Sequence, residues 1–117
     1  MPAVPEIRVF RPHPGSGLAR FVGDGAPPPY WAYDWAGGIV LARYILRHPE
    51  SVRGRRVVDL GTGSGLVAIA AAMVGAASVS AIDIDPLAVV AARLNAAENA
   101  VAIDVRVGDG LAGMPPE

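Results

Sequence analysis

Asp59, Gly61, Gly63, Gly65 and, eighteen residues beyond the last glycine, Asp83 have types and spacing that can do chemistry together. Val57-Val58-Asp59-Leu60-Gly61-Thr62-Gly63-Ser64-Gly65 is a short apolar run that ends in an acid and then places glycines at alternate positions. Ala81-Ile82-Asp83-Ile84-Asp85-Pro86 is a second apolar run ending in an acid, and a helical apolar pattern lies between the two. The order reads as strand, glycine turn, helix, strand. It places two carboxylates at the carboxyl end of a parallel sheet, where the second can reach a ribose.

The glycine spacing discriminates between ligands. A dinucleotide fingerprint is GxGxxG, which would put its third glycine at position 66. That position is Leu66. A pyrophosphate needs close backbone approach to a helix N-terminus, and the Gly-Lys-Ser/Thr of a phosphate loop is absent. A ligand with a zwitterionic amino-acid tail, a sulfonium and a nucleoside fits better, and S-adenosylmethionine is such a ligand. Bare glycine backbone lets the tail pass, and Asp59 stands where an acid can hold the ammonium. Asp83 can accept both ribose hydroxyls, Ile84 can lie against the adenine, and Asp109 can accept from the adenine amino group. Plainer readings stand beside these. A glycine turn also serves tight strand–helix packing, Asp109 also suits a turn, and Asp85 reads as a helix cap. His13 and His48 have no partner at metal or triad spacing, and Arg53, Arg55 and Arg56 read as a solvated turn.

The bulk numbers allow such a domain and narrow its partners. A chain of 117 residues holds one domain at most, and its 52% hydrophobic content suffices for a core. A net charge of −1 gives no argument for nucleic acid or an anionic membrane. All ten basic residues are Arg. Without cysteine, disulfides, thiolate metal sites and catalytic thiols are excluded, and no other metal site is expected. No signal peptide and no long uncharged apolar run is visible, so the expected location is the cytoplasm.

The elements that must position the site follow from periodicity. Residues 1–29 form an irregular lead-in, with a short strand expected at Ile7-Arg8-Val9-Phe10 and a stiff extended run over Pro27 to Pro29. Tyr30, Trp31, Tyr33 and Trp35 supply four of the seven aromatics; Trp31 and Trp35 fit a core, a lid or a cofactor contact. A helix is predicted over 37–48, burying Val40, Leu41, Tyr44 and Ile45. Strand 55–60 does not alternate, as expected when both faces are covered. Helix 65–74 is expected to bury Leu66, Ile69, Ala70 and Met73, with Gly75 as its left-handed stop. Strand 78–83 precedes a helix over 86–97 with a Leu87, Val90, Ala91 and Leu94 stripe and a left-handed exit at Asn99. The last strand, 101–107, puts Val101, Ile103, Val105 and Val107 on one face and reads as a half-exposed edge. The fold class is α/β with a Rossmann-like parallel sheet.

These motifs resemble those of the class I, seven-strand S-adenosylmethionine-dependent methyltransferases. The likeness rests on Asp59 to Gly65, on Ala81 to Pro86, and on Val107-Gly108-Asp109. Pro29 to Gly38, Leu41 to Leu46 and Val52 to Arg55 are similar to the lead-in of the protein-lysine methyltransferases that act on the electron transfer flavoprotein beta subunit. Bacterial relatives carry the labels nicotinamide N-methyltransferase-like or ribosomal protein L11 methyltransferase. The resemblance covers about residues 28–110 and implies methyl transfer to a protein lysine, the acceptor being the flavoprotein subunit or a ribosomal protein. It also implies a lead-in that closes Trp31 and Trp35 over the cofactor. The family sheet has the strand order 3-2-1-4-5-7-6, and this sequence supplies strands 1 to 3. Residues 30–117 therefore read as the cofactor half of such a domain, without the acceptor half, and with a bare first-strand edge open to aggregation. The rival readings are a non-catalytic cofactor-binding or interaction module and an NAD-binding oxidoreductase fragment.

Overall fold

The structure is a computed structural model and describes residues 4–9 and 36–109. Trp31, Trp35 and the proline run at 27–29 lie outside the described residues. Helix α1 spans Ala36–Arg47, followed by a 3-10 turn at Pro49–Ser51. Strand β1 is Arg56–Leu60, helix α2 Leu66–Met73, strand β2 Ser78–Asp83, helix α3 Pro86–Glu98 and strand β3 Asp104–Val107. The three strands form one parallel sheet in the order β1-β2-β3. Val57 sits opposite Val79, Asp59 opposite Ala81, and Asp83 opposite Val107.

That register sorts the side chains. Val57, Val79, Ala81 and Val105 share the face covered by α2 and α3, where they meet Ala68, Ala71, Val89 and Ala92. A second core lies on the outer side of α2, built from Val4, Ile7, Ala42, Ile45, Leu66, Ile69, Ala70 and Ala96. Helix α2 is thus packed on two sides, which is why eight residues with no polar side chain form a stable helix there. On the other sheet face β1 is open among the described residues, with Val58 41% and Leu60 45% exposed, whereas Ile82 of β2 is buried. The expectation that β1 is covered on both faces is therefore corrected, because no described element lies over Val58 and Leu60.

Helix faces depart from the hydrophobic ranking in a consistent way. In α1 the buried residues are Ala42 and Ile45, while Val40, Leu41 and Tyr44 are exposed. In α3 they are Ala88, Val89, Ala92, Asn95 and Ala96, while Val90 and Leu94 face solvent. Met73 of α2 is exposed as well. Close approach between elements selects small side chains: a Cβ on Gly65 would stand 3.2 Å from that of Ala92. A Leu or Val stripe at that contact would hold the elements apart.

The strand expected at Ile7 is instead a turn, closed by the Ile7 N–H donating to the Val4 carbonyl at 3.1 Å. Both side chains are buried, each burial contributing about 1.5–3 kcal/mol. Asn99 locks this segment down. Its Oδ1 accepts from the Arg8 N–H at 2.8 Å and its Nδ2 donates to the Arg8 carbonyl at 2.6 Å. The left-handed residue after α3 is Ala100, with φ 56°, while Asn99 stays at φ −94°; the side chain of Asn99 is committed to Arg8. Gly75 ends α2 as expected, with φ 98°. Strand β3 is shorter than expected: Val101 and Ile103 are half-buried but carry no ladder, and Val107 is exposed beyond the end of the core.

Candidate cofactor site

The site lies where the three strands end. The Gly61 and Thr62 N–H groups both donate to the Ile82 carbonyl, at 2.8 and 3.1 Å, so the chain leaves β1 still attached to β2. The Gly108 N–H donates to the Asp83 carbonyl at 2.9 Å and brings the turn after β3 to the same place. Gly61, Gly63 and Gly65 all have positive φ, at 70°, 56° and 89°, a backbone path that side chains with a Cβ rarely follow.

Asp59 lies on the covered face of β1 and is half-buried. Its carboxylate accepts from the Thr62 hydroxyl at 2.8 Å and from the Ala68 backbone N–H. Ala68 is in the first turn of α2, whose N-cap is Gly65. A glycine has no side chain to cap a helix, so Asp59 serves this end from a distance. Burial pushes the Asp59 carboxyl above its ordinary value of 3.8; the two hydrogen bonds oppose this, and the neighbouring Asp83 charge adds to it. Among the described residues no cation offsets it.

The pH consequence has a definite sign. The folded chain holds the Asp59 proton more tightly than the unfolded chain does. This group's contribution to stability is therefore complete below 3.8 and is lost as pH rises through the raised folded value. Asp59→Asn removes that loss and retains an acceptor for Thr62. The variant is expected to unfold at a higher temperature than the native chain at pH 7, with a flatter stability profile on the acid side. Thermal unfolding across pH 3–8 checks this; a variant less stable than native at pH 7 would contradict the assignment.

Asp83 is placed differently from a free strand-tip acid. It is 2% exposed. One oxygen accepts from the Gly63 N–H and the other from the Asp85 N–H, both at 2.9 Å. It thus fastens the glycine turn to the turn after β2. Each carboxylate oxygen retains a further acceptor position. Asp85 caps α3, its Oδ1 accepting from the Leu87 N–H at 2.9 Å with Pro86 in the first turn. Ile84 is 71% exposed beside this junction, and Asp109 is exposed after β3. The structure brings Asp59, the three glycines, Asp83 and Ile84 to one end of the sheet, with Asp109 one residue beyond Gly108.

Sequence reading missed Thr62, Ser64 and Asn95, all buried polar residues. Asn95 Nδ2 donates to the Ser64 carbonyl at 2.8 Å. A signal for it existed: Asn95 is the one polar residue on a helix face otherwise made of Ala88, Val89, Ala92 and Ala96.

Comparison with known proteins agrees with this fold. The chain is 49% identical over 87 residues to the electron transfer flavoprotein beta subunit lysine methyltransferase of Danio rerio, covering 74% of this chain and 34% of that protein. Among solved structures, the ribosomal protein L11 methylase of Lactobacillus delbrueckii subsp. bulgaricus superposes with a TM-score of 0.62 at 33% identity, over 79% of this chain and 53% of that one. The Pyrococcus abyssi tRNA (uracil-54, C5)-methyltransferase, solved in complex with S-adenosyl-L-homocysteine, superposes with a TM-score of 0.52 at 27% identity, over 62% of this chain and 18% of that one. The chain thus spans about a third of the length of the flavoprotein-directed relative. The family model of ribosomal protein L11 methyltransferase (PrmA) matches residues 45–114, from within α1 to beyond β3, and the chain belongs to that family.

Proposed function

We propose that the end of the sheet binds S-adenosylmethionine and that this chain forms the cofactor side of a protein-lysine methyltransferase. The observation that carries the reading is Asp59. Its carboxylate already occupies the N-terminus of α2, the place where a dinucleotide pyrophosphate sits in the related fold. A phosphate would meet that charge, with Asp83 close by, and be repelled. An ammonium would be attracted to the same pair. The NAD reading fits this arrangement poorly.

The residues present fit the cofactor by their chemistry. Asp59 would hold the amino group of the methionine end. Gly61 would let that end pass, since a Cβ there would meet nothing within 4 Å and the space beside it is open. Asp83 would accept ribose hydroxyls through its remaining acceptor positions, Ile84 would cover the adenine, and Asp109 would accept from its amino group. Trp31 and Trp35 are assigned to closure over the cofactor on family likeness alone. When bound, S-adenosylmethionine supplies a methyl group on a positively charged sulfur, ready for in-line attack by an amine. The protein's part is positioning and exclusion of water.

The name of the Danio rerio relative specifies a lysine of a flavoprotein subunit, and the matching family is named for a ribosomal protein. Both support a protein acceptor here. No helix among the described residues is long and apolar enough to cross a membrane.

Thermal unfolding with S-adenosylhomocysteine, and with NAD as control, tests the cofactor assignment. A ligand at a hundred times its Kd stabilises by about 2.7 kcal/mol, which corresponds to a rise of roughly 10 °C or more for a domain of this size. A rise with NAD and none with S-adenosylhomocysteine would overturn the reading. The same titration on Asp59→Asn is expected to show binding weakened by about ten- to a hundred-fold, the worth of one charge-assisted hydrogen bond.

A further inference from the structure

We propose that Asn95 is a positioning residue that sets the shape of the cofactor turn before ligand arrives; this rests on the reading of that turn as the cofactor site. Asn95 lies in the second half of α3 and is 0% exposed. A buried amide in mid-helix costs stability unless it is hydrogen-bonded. Its Nδ2 reaches across to the Ser64 carbonyl at 2.8 Å. That carbonyl lies just outside the α2 hydrogen-bond ladder, which begins with the Ile69 N–H donating to the Gly65 carbonyl at 2.8 Å. Ser64 is itself buried at 6% exposure, so Asn95 satisfies a carbonyl that has little access to water.

The brace is two-sided. Asp83, at the tip of β2, holds the N–H of Gly63. Asn95, from α3, holds the carbonyl of Ser64. Two peptide groups of one flexible glycine-rich turn are thereby oriented by two different elements. The backbone of α3 also touches the turn directly, since the Cα of Ala92 lies 3.3 Å from where a Gly65 Cβ would be. Glycine backbone loses more entropy on ordering than any other. A turn ordered within the fold leaves less ordering for the ligand to impose, and affinity rises accordingly.

The test uses the full chain as native protein, Asn95→Ala, Asn95→Asp and Val89→Ala. Val89 is buried in the core between α3 and the sheet, so its truncation lowers stability without touching the turn. The first readout is amide hydrogen exchange without ligand, and the second is the Kd for S-adenosylhomocysteine by calorimetry. In the native chain the Asn95 side-chain amide and the Gly63 and Gly65 amides are expected to exchange slowly. Both Asn95 variants should speed Gly63 and Gly65 exchange beyond that of β2 amides and weaken binding by about ten-fold. The carboxylate of Asn95→Asp keeps the shape but has no N–H to donate. Val89→Ala should unfold earlier yet retain native affinity and a protected turn.

An Asn95 side-chain amide that exchanges freely in the native protein would overturn the brace, and this measurement needs no variant to fold. Native affinity in Asn95→Ala, or an equal loss in Val89→Ala, would overturn the positioning role alone. A native chain that binds no S-adenosylhomocysteine would overturn the cofactor reading, while the exchange measurement would still decide whether the turn is braced.

Discussion

Gly65→Ala should lower stability by about 2–5 kcal/mol, whereas Gly61→Ala, four residues earlier in the same turn, should lose less and fail to bind its ligand. Both glycines have positive φ, at 89° and 70°, and a side chain in that region costs roughly 1–2 kcal/mol. Their surroundings then separate them. A Cβ on Gly65 would stand 3.2 Å from Ala92 Cβ and 3.3 Å from its Cα, so α3 itself would have to move. Overpacking of that kind adds about 1–3 kcal/mol. The total, about 2–5 kcal/mol, is a large part of the 5–15 kcal/mol that holds a typical domain together. Gly61 has open space instead, and only the backbone strain applies. Denaturant unfolding and S-adenosylhomocysteine titration of both variants check the contrast. A stable Gly65→Ala would mean that α3 does not approach the turn so closely, and full affinity in Gly61→Ala would remove Gly61 from the site.

Asp83→Ala is expected to lower stability by about 2–6 kcal/mol. The carboxylate is almost fully buried and satisfies two backbone N–H groups, those of Gly63 and Asp85. Its removal leaves both donors without an acceptor, at about 1–3 kcal/mol each. Asp83→Asn should fall between native and alanine, because one amide oxygen can serve one donor while the NH₂ group faces the other. Asp85→Ala, which loses only a helix cap, should cost about 1 kcal/mol. Equilibrium unfolding of the three variants gives the order. If Asp83→Ala were no worse than Asp85→Ala, the carboxylate would not be joining the two turns. S-adenosylhomocysteine binding should be lost in Asp83→Ala even under conditions where the variant stays folded.

The two glycines and the acid show why some of this was legible in the sequence. Alternating glycines after an acid-tipped apolar run can be satisfied by few backbone paths, so the strand, turn and helix order followed directly. The second strand was placed at Ser78–Asp83 as observed, and the cap at Asp85 and the stop at Gly75 rest on local chemistry. The helix faces were harder. Periodicity finds a stripe, but α1 and α3 each carry two stripes, one of large apolar residues and one of small. The contact of α3 used mainly the small one, with Ala88, Ala92 and Ala96 buried while Val90 and Leu94 stay exposed, and that of α1 paired Ala42 with Ile45 while Val40, Leu41 and Tyr44 stay exposed. The partner that demands close approach, Gly65 in the case of α3, is distant in sequence, and hydrophobicity alone does not reveal it. Asp83 illustrates the same limit within the site. Its type and position were evident, yet its commitment to Gly63 depends on a contact across twenty residues. Asn95 stands out as a lone polar residue on a small apolar helix face, but its partner Ser64 lies thirty-one residues away and is not marked by the local pattern.

The grip of Asn99 on Arg8 joins positions 91 residues apart, and this bears on how the chain is made. Val4 and Ile7 are synthesised well before Ala96, which belongs to the core that buries them, and before Asn99, which secures the segment. At roughly 5–20 residues per second, about 5–20 s separate the synthesis of Arg8 from that of Asn99. Strands β1 and β2 and helix α2 can assemble during synthesis, but the segment around Arg8 is locked down only when α3 is complete. The lock therefore forms late, and a chain arrested before Asn99 would leave the segment bearing Val4 and Ile7 without it.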